Sequence, residues 1–297
     1  MTTMRNKLML MIGGTIALLA GLNPALSPAA DTSKYKLVEP GMLSVAITGD
    51  MPGLVVRDGK LVGYDGEILQ IAADRLGLSV KPVPMEWSGA IAAVQTGRVD
   101  IIGGNVAWTE QRADALSLTD PTGYFQNGIT AKRETGWHVL SDLEDKKVGS
   151  ITGFSFLPEL RRISGLELAL YDSSDAAMRD LTTGRIQALV GDPPVIDYAI
   201  SKNPGWGLSN LPFTDNNPEF PLLTGVGRQY VFGLSKENKD LADALSAEIR
   251  KLWQTCEVKV IGRKYGNVSE ANYAPSPKNF RAGVDRPETW KPPVCGQ

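Results

Sequence analysis

The chain has 297 residues, 42% apolar and 22% charged, with a formal net charge of −2. That length accommodates two ordinary domains of globular composition. A mildly acidic chain without a basic block offers no electrostatic case for nucleic acid or an anionic membrane, so neither is expected as a partner.

Residues 1–29 read as a secretory signal: Arg5 and Lys7, an apolar run over 8–22, then small residues over 25–30. The run falls short of the roughly 20 residues a spanning helix needs. Cleavage after Ala29 leaves Ser27 and Ala29 at the small-residue positions, and it makes the exported chain two charges more acidic by removing Arg5 and Lys7. No cysteine follows the run, so a lipid anchor is not expected. These features predict an exported protein, and the resemblance described below makes the periplasm its expected location.

Residues 42–48 read as a strand and 54–62 as a hairpin turning at Asp58-Gly59. Helical spacing of Ile68, Leu69, Ala72 and Leu76 predicts a helix over 64–76, stopped by Gly77. A strand at 79–83, a helix at 90–95 and a strand at 99–102 follow. The pattern then recurs: strands at 147–151, 168–171 and 186–190 alternate with helices at 156–163 and 175–181. A helix includes 197–201, a strand 230–234, and an amphipathic helix 239–253. Strand–helix alternation of this kind is the signature of an α/β sheet with helices on its faces. Gly266 and Asn267 end the predicted folded region, and 267–297 reads as an irregular tail rich in Pro, Asn and Ser. Cys256 and Cys295 are the two cysteines, and an even count in an exported chain predicts a disulfide clipping that tail to the last helix.

The recurrence is visible in the residues. Positions 96–105 read TGRVDIIGGN and positions 183–192 read TGRIQALVGD, an offset of 87. Two related lobes follow, with Asn105 and Asp192 at equivalent strand ends, where open α/β sheets place ligands.

In this order along the chain, GKLVGYDGEILQIAADRLGL (59–78), WSGAIAAVQTGRVDIIGG (87–104), TEQRADALSLTDP (109–121), DLEDKKVGSITG (142–153) and YDSSDAAMRDLTTGRIQALVGDPP (171–194) resemble the polar amino-acid type of periplasmic solute-binding protein that serves ATP-driven (ABC) importers, family 3. The resemblance implies a two-lobed periplasmic-binding-protein fold (type II), each lobe a sheet flanked by helices. It places lobe 1 at 38–131 plus 229–266 and lobe 2 at 132–228. Two crossings, near 129–133 and 226–234, form the hinge, and the ligand binds in the cleft between the lobes. A membrane permease is the implied partner, and the chain is expected to act as a monomer without a cofactor.

The same resemblance assigns roles. Arg112, in the T-x-x-R motif with Thr109, would grip a ligand carboxylate through its planar fork of N–H donors. Asp192 would accept from the ligand ammonium; the competing reading is an Asx turn before Pro193-Pro194. Trp87 matches a covering aromatic, Ser155 after Phe154 a hydroxyl supporting the carboxylate, and Gly104 and Asn105 pocket-lining positions. Asp50 lies in the loop that varies with the ligand side chain. Two departures stand out. The family's Ser or Thr five residues before the arginine is Ala107 here, and the first loop, GDMPGLVV, lacks the usual aromatic. A carboxylate that is not a simple α-amino acid therefore stays open.

His138 is the sole histidine, and with two distal cysteines it supports no metal site or Cys–His pair. No phosphate loop or nucleophile elbow is present. The sequence is read as a binding protein and not an enzyme. A cyclohexadienyl-dehydratase-like enzyme on the same fold and a sensor or accessory subunit are the alternatives.

Overall fold

The computed structural model describes Met1 and residues 31–296. Apart from Met1, the expected signal segment lies outside the described residues. The first lobe opens with strand β1 (Met42–Ile47). Strands β2 (Val55–Arg57) and β3 (Lys60–Val62) form the hairpin, with Asp58 and Gly59 at φ 50° and 74°, the positive values a two-residue I′ turn requires. Helix α1 (Tyr64–Arg75) buries Ile68, Leu69 and Ala72 on one face. Next come β4 (Ser79–Pro84), α2 (Trp87–Gln95), β5 (Ile101–Ala107), α3 (Glu110–Ala115), β6 (Leu116–Leu118) and β7 (Gly123–Phe125).

The chain then enters the second lobe. Its elements are β8 (Gly128–Lys132), β9 (Lys147–Ile151), α4 (Leu157–Leu160), β10 (Glu167–Tyr171), α5 (Ser174–Thr182), β11 (Ala188–Leu189), α6 (Pro193–Lys202), β12 (Leu208–Pro212) and α7 (Pro221–Thr224). Strand β13 (Arg228–Ser235) returns to the first lobe, followed by α8 (Lys239–Gln254) and α9 (Glu257–Lys264).

Two principal sheets result. The first runs β4-β1-β5-β13-β6, with β7 also on β13; the second runs β10-β9-β11-β8-β12. In each, the strands of the strand–helix–strand units pair in parallel, and the strand next to a crossing pairs antiparallel. This is the two-lobed α/β architecture expected from the sequence.

Several boundaries move. Strand β8 pairs inside the second sheet, so the first crossing lies at Gln126–Asn127, before the expected 129–133. The helix expected over 156–163 is a single turn, and the strand expected over 186–190 pairs only at Ala188–Leu189. Strand β5 runs on to Ala107, carrying Asn105 inside it.

The tail is irregular but packed, which corrects the reading that folded structure ends at Gly266-Asn267. Arg281 is completely buried. It donates to the Thr119 carbonyl (2.8 Å), to Gln229 Oε1 (3.3 Å) and to Asp285, and it lies against Trp108 and Trp290. Tyr124 donates to the Pro293 carbonyl at 2.6 Å. At the second crossing Gly227, with φ 61°, sits so close to Pro275 and Ser276 that a Cβ would overlap them. The tail therefore straps the first lobe and touches the crossing. It also brings Cys295 to Cys256, where burial first, then the neighbouring thiol, raises its pKa to about 12. Both are free thiols, so the expected disulfide is absent from the structure. Proximity comes from the packing, whereas oxidation depends on the surroundings.

Candidate functional site

The sequence TGRVDIIGGN explains how the cleft begins. Between the pairs Ile102–Gly233 and Val106–Val231, residues Gly103, Gly104 and Asn105 of β5 face the single residue Phe232 of β13. A bulge of this kind re-aims side chains and is common beside binding sites. Gly104 (φ 89°) and Asn105 (φ 61°) both take left-handed backbone. Asp65, in the first turn of α1, fixes the bend: it accepts from the Asn105 amide (2.6 Å) and from the Thr122 hydroxyl (2.7 Å). Gly53 completes the fit, because a Cβ there would stand 2.9 Å from Asn105 Nδ2.

So aimed, Asn105 Nδ2 donates to Asp192 Oδ2 at 2.6 Å, across the two lobes. Tyr230 OH donates to Asp192 Oδ1 at 2.7 Å. Asp192 stands at the N-cap of α6 but makes no side-chain cap bond, so the Asx-turn reading fails. Its pKa is raised to about 7, mainly by burial; Tyr230 and Asn105 oppose the shift, and the charges of Asp50 and Asp65 add to it.

Arg112 owes its place to the T-x-x-R motif. Thr109 caps α3 by accepting from the Arg112 amide at 3.1 Å. The Arg112 side chain is 8% exposed. Its Nη1 donates to the Ala107 carbonyl (2.7 Å), and its guanidinium lies 5.4 Å from the Trp87 ring. Burial, then the charge of Arg228, lowers its pKa to about 10, leaving it a cation at neutral pH. Among the described residues its one side-chain hydrogen bond is to the Ala107 carbonyl, so most of its five donors are free to meet an anion. Position 107, which lacks the expected hydroxyl, contributes its carbonyl.

Trp87 closes the cleft from the other side. Its Nε1 donates across the lobes to the Gly153 carbonyl at 3.4 Å, and its ring meets Phe154 edge-on at 6.2 Å. Two chambers share Trp87, Asn105, Phe154 and Asp192 as walls. The floor chamber, about 30 Å³, is further lined by Ala107, Arg112, Ser155, Arg228 and Tyr230. The outer chamber, about 240 Å³, is further lined by Asp50, Glu86, Gly104, Asp172 and Asp175, and among the described residues no Lys or Arg stands in its walls. Burial and the charge of Asp175 raise the Asp50 pKa, against the Thr48 hydrogen bond that lowers it.

All nine residues singled out from the sequence thus line these two adjoining chambers. Sequence reasoning missed Arg228, Tyr230, Asp65 and the outer acids Glu86, Asp172 and Asp175. Arg228 and Tyr230 alternate on β13 and so share one face, a period-two signal that the apolar run after them obscures. His138 lies exposed on a connection. Among the described residues no cluster of His, Cys, Asp or Glu is arranged to hold a metal.

The model of bacterial extracellular solute-binding proteins, family 3, matches residues 43–268. The L-cystine-binding protein of Escherichia coli (strain K12) is 27% identical over 258 residues, covering 84% of this chain and 91% of its own. The histidine-binding periplasmic protein of the same strain is 25% identical over 211 residues, covering 70% and 80%. An ancestral arginine-binding protein, solved bound to arginine, superposes with a TM-score of 0.65 at 26% identity, over 76% of this chain and 98% of its own.

Proposed function

The chain belongs to the bacterial extracellular solute-binding proteins of family 3, and from that premise we propose that its cleft captures an α-amino acid with a cationic side chain for delivery to an ABC importer. The protein is a receptor and not an enzyme. In this reading it is exported by the signal at residues 1–29 and hands its ligand to a membrane permease.

The polarity of the cleft carries the proposal. Guanidinium groups line the floor, and acids without a basic residue line the outer chamber. A ligand with its carboxylate on Arg112 directs its ammonium toward Asp192 and its side chain toward Asp50 and Asp175. Trp87 and Phe154 cover it, and Ser155 stands beside the carboxylate. Asn105, Asp192 and Trp87 already join the lobes, so the ligand completes a closed cleft of the kind hinge-bending receptors form. Cystine, histidine and arginine, which the similar proteins are named for or solved with, share one zwitterionic head, which supports the reading.

A thermal-shift screen with L-arginine, L-lysine, L-histidine, L-glutamine, L-cystine and L-glutamate tests it. A ligand at one hundred times its dissociation constant stabilises the folded form by about 2.7 kcal/mol, or roughly 5–10 °C. L-Arginine or L-lysine should shift the transition most and L-glutamate least. Protection by L-glutamate alone would contradict the side-chain assignment.

A further inference from the structure

Arg228 opens β13 where the chain returns from the second lobe, and it lines the floor chamber with Arg112. It is 8% exposed. Its Nη1 donates to the Leu222 carbonyl. Its Nη2 is buried and has no hydrogen-bond partner among the described residues. Unpaired buried donors are rare and costly, so each one calls for an explanation.

No carboxylate among the described residues supplies it. Glu159, whose charge reaches Arg228, gives its two oxygens to the amides of Leu222 and Leu223. Asp192 accepts from Asn105 and Tyr230 and makes no hydrogen bond to Arg228. Arg228 is also held in place: its guanidinium lies 5.0 Å from the Phe125 ring, which stacks on Tyr230 at 4.1 Å. Packed between these groups, it has little freedom to turn toward water. Arg112 lines the same chamber, and its pKa is lowered first by burial and secondarily by the charge of Arg228, so the two cations repel. An anion between them relieves that repulsion. A carboxylate offers about four lone-pair sites, enough for the Arg112 fork and for Arg228 Nη2 together.

We infer that Arg228 is a second anion-binding residue, and that the floor holds a carboxylate through two guanidinium groups. This rests on the carboxylate-inward reading of the cleft and deepens it. The site then selects acids over their decarboxylated amines more sharply than Arg112 alone would, and it accepts other headgroup-sized anions.

The full exported chain, its Arg228→Gln variant and its Arg228→Lys variant are titrated with L-arginine and with agmatine, the amine lacking the carboxylate. Arg228→Gln should weaken L-arginine at least tenfold and agmatine less than threefold. Arg228→Lys keeps the charge and a donor for Leu222 but loses the fork, so it should fall between. Melting of the ligand-free variants checks folding, and if Arg228→Gln does not fold, Arg228→Lys decides. Separately, sodium acetate is compared with sodium chloride at equal ionic strength in a thermal shift. Acetate should protect the wild type more than chloride does, and Arg228→Lys should lose part of that protection. Unchanged L-arginine affinity in a folded variant, or equal losses for L-arginine and agmatine, would overturn the inference. If L-arginine fails to bind the wild type but acetate protection still depends on Arg228, the amino-acid reading falls and the two-guanidinium floor stands. If neither ligand acts on the wild type, both fall.

Discussion

Asn105 and Asp192, 87 residues apart and at matching places in an internal repeat, meet across the cleft at 2.6 Å. Each lies just past the apolar strand segment of its own copy. The repeat therefore places a donor and an acceptor opposite one another, and the lobes close on that pair.

Asp192 makes ligand-free stability depend on pH. Its folded pKa, about 7, lies above the 3.8 of an ordinary aspartate, so between those values the folded state holds a proton that the unfolded state has lost. Stability from this group therefore falls as pH rises from about 4 to about 7. Asp192→Asn should flatten this slope, seen as a smaller difference in urea unfolding free energy between pH 5 and pH 7.5 than in the wild type. A slope unchanged by the substitution would contradict the assignment. Affinity for a cationic ligand should move oppositely, weakening below about pH 7 as Asp192 takes up its proton.

Arg112→Ala should cost roughly 2–5 kcal/mol of ligand affinity, a loss of thirtyfold or more, since it removes a buried charged partner of the ligand. Isothermal titration with the best ligand of the screen measures it. A loss below threefold would show that the carboxylate lies elsewhere.

Asp50→Asn tests the outer chamber. Partly screened charge pairs contribute up to about 1 kcal/mol, so L-arginine should weaken roughly threefold to fivefold. L-Glutamine, which has no charge to lose, should change less than twofold. Equal losses for both would mean that Asp50 shapes the chamber without reading charge.

The strap should matter for stability. Arg281 is buried against Asp285 and bonds to Gln229, which lies between Arg228 and Tyr230 on β13. Arg281→Ala leaves Asp285 without its buried partner, and such losses cost about 3–5 kcal/mol. Denaturant unfolding gives the value. A change under about 1 kcal/mol would mean that the tail packs only loosely.

Much of this was legible in the sequence because it rests on local pattern. The strands that became β1 and β10 are largely apolar runs bounded by turn residues, and α8 shows its spacing plainly. T-x-x-R works through a cap at Thr109, a local device. What escaped depends on distant packing. Arg228 reads as an ordinary polar residue before an apolar strand, and only the second lobe and Phe125 bury it. Asp65 reads as an acid in a helix's first turn, whereas its partners are Asn105 and Thr122. The tail has the composition of a loose end, yet two arginines, Arg281 and Arg286, bond it to the first lobe and two tryptophans, Trp108 and Trp290, pack against Arg281. The helix expected over 156–163 is cut to Leu157–Leu160, after which the chain runs through turns at Arg161-Arg162 and again at Ser164-Gly165.

The central claim is that this cleft holds a carboxylate at its floor and a cation at its mouth. Calorimetric titration of the exported chain with L-arginine and with agmatine measures it most directly. The two share the guanidinium end and differ in the carboxylate. L-Arginine should bind at least thirtyfold more tightly than agmatine, whereas equal affinities, or agmatine the tighter, would contradict the account.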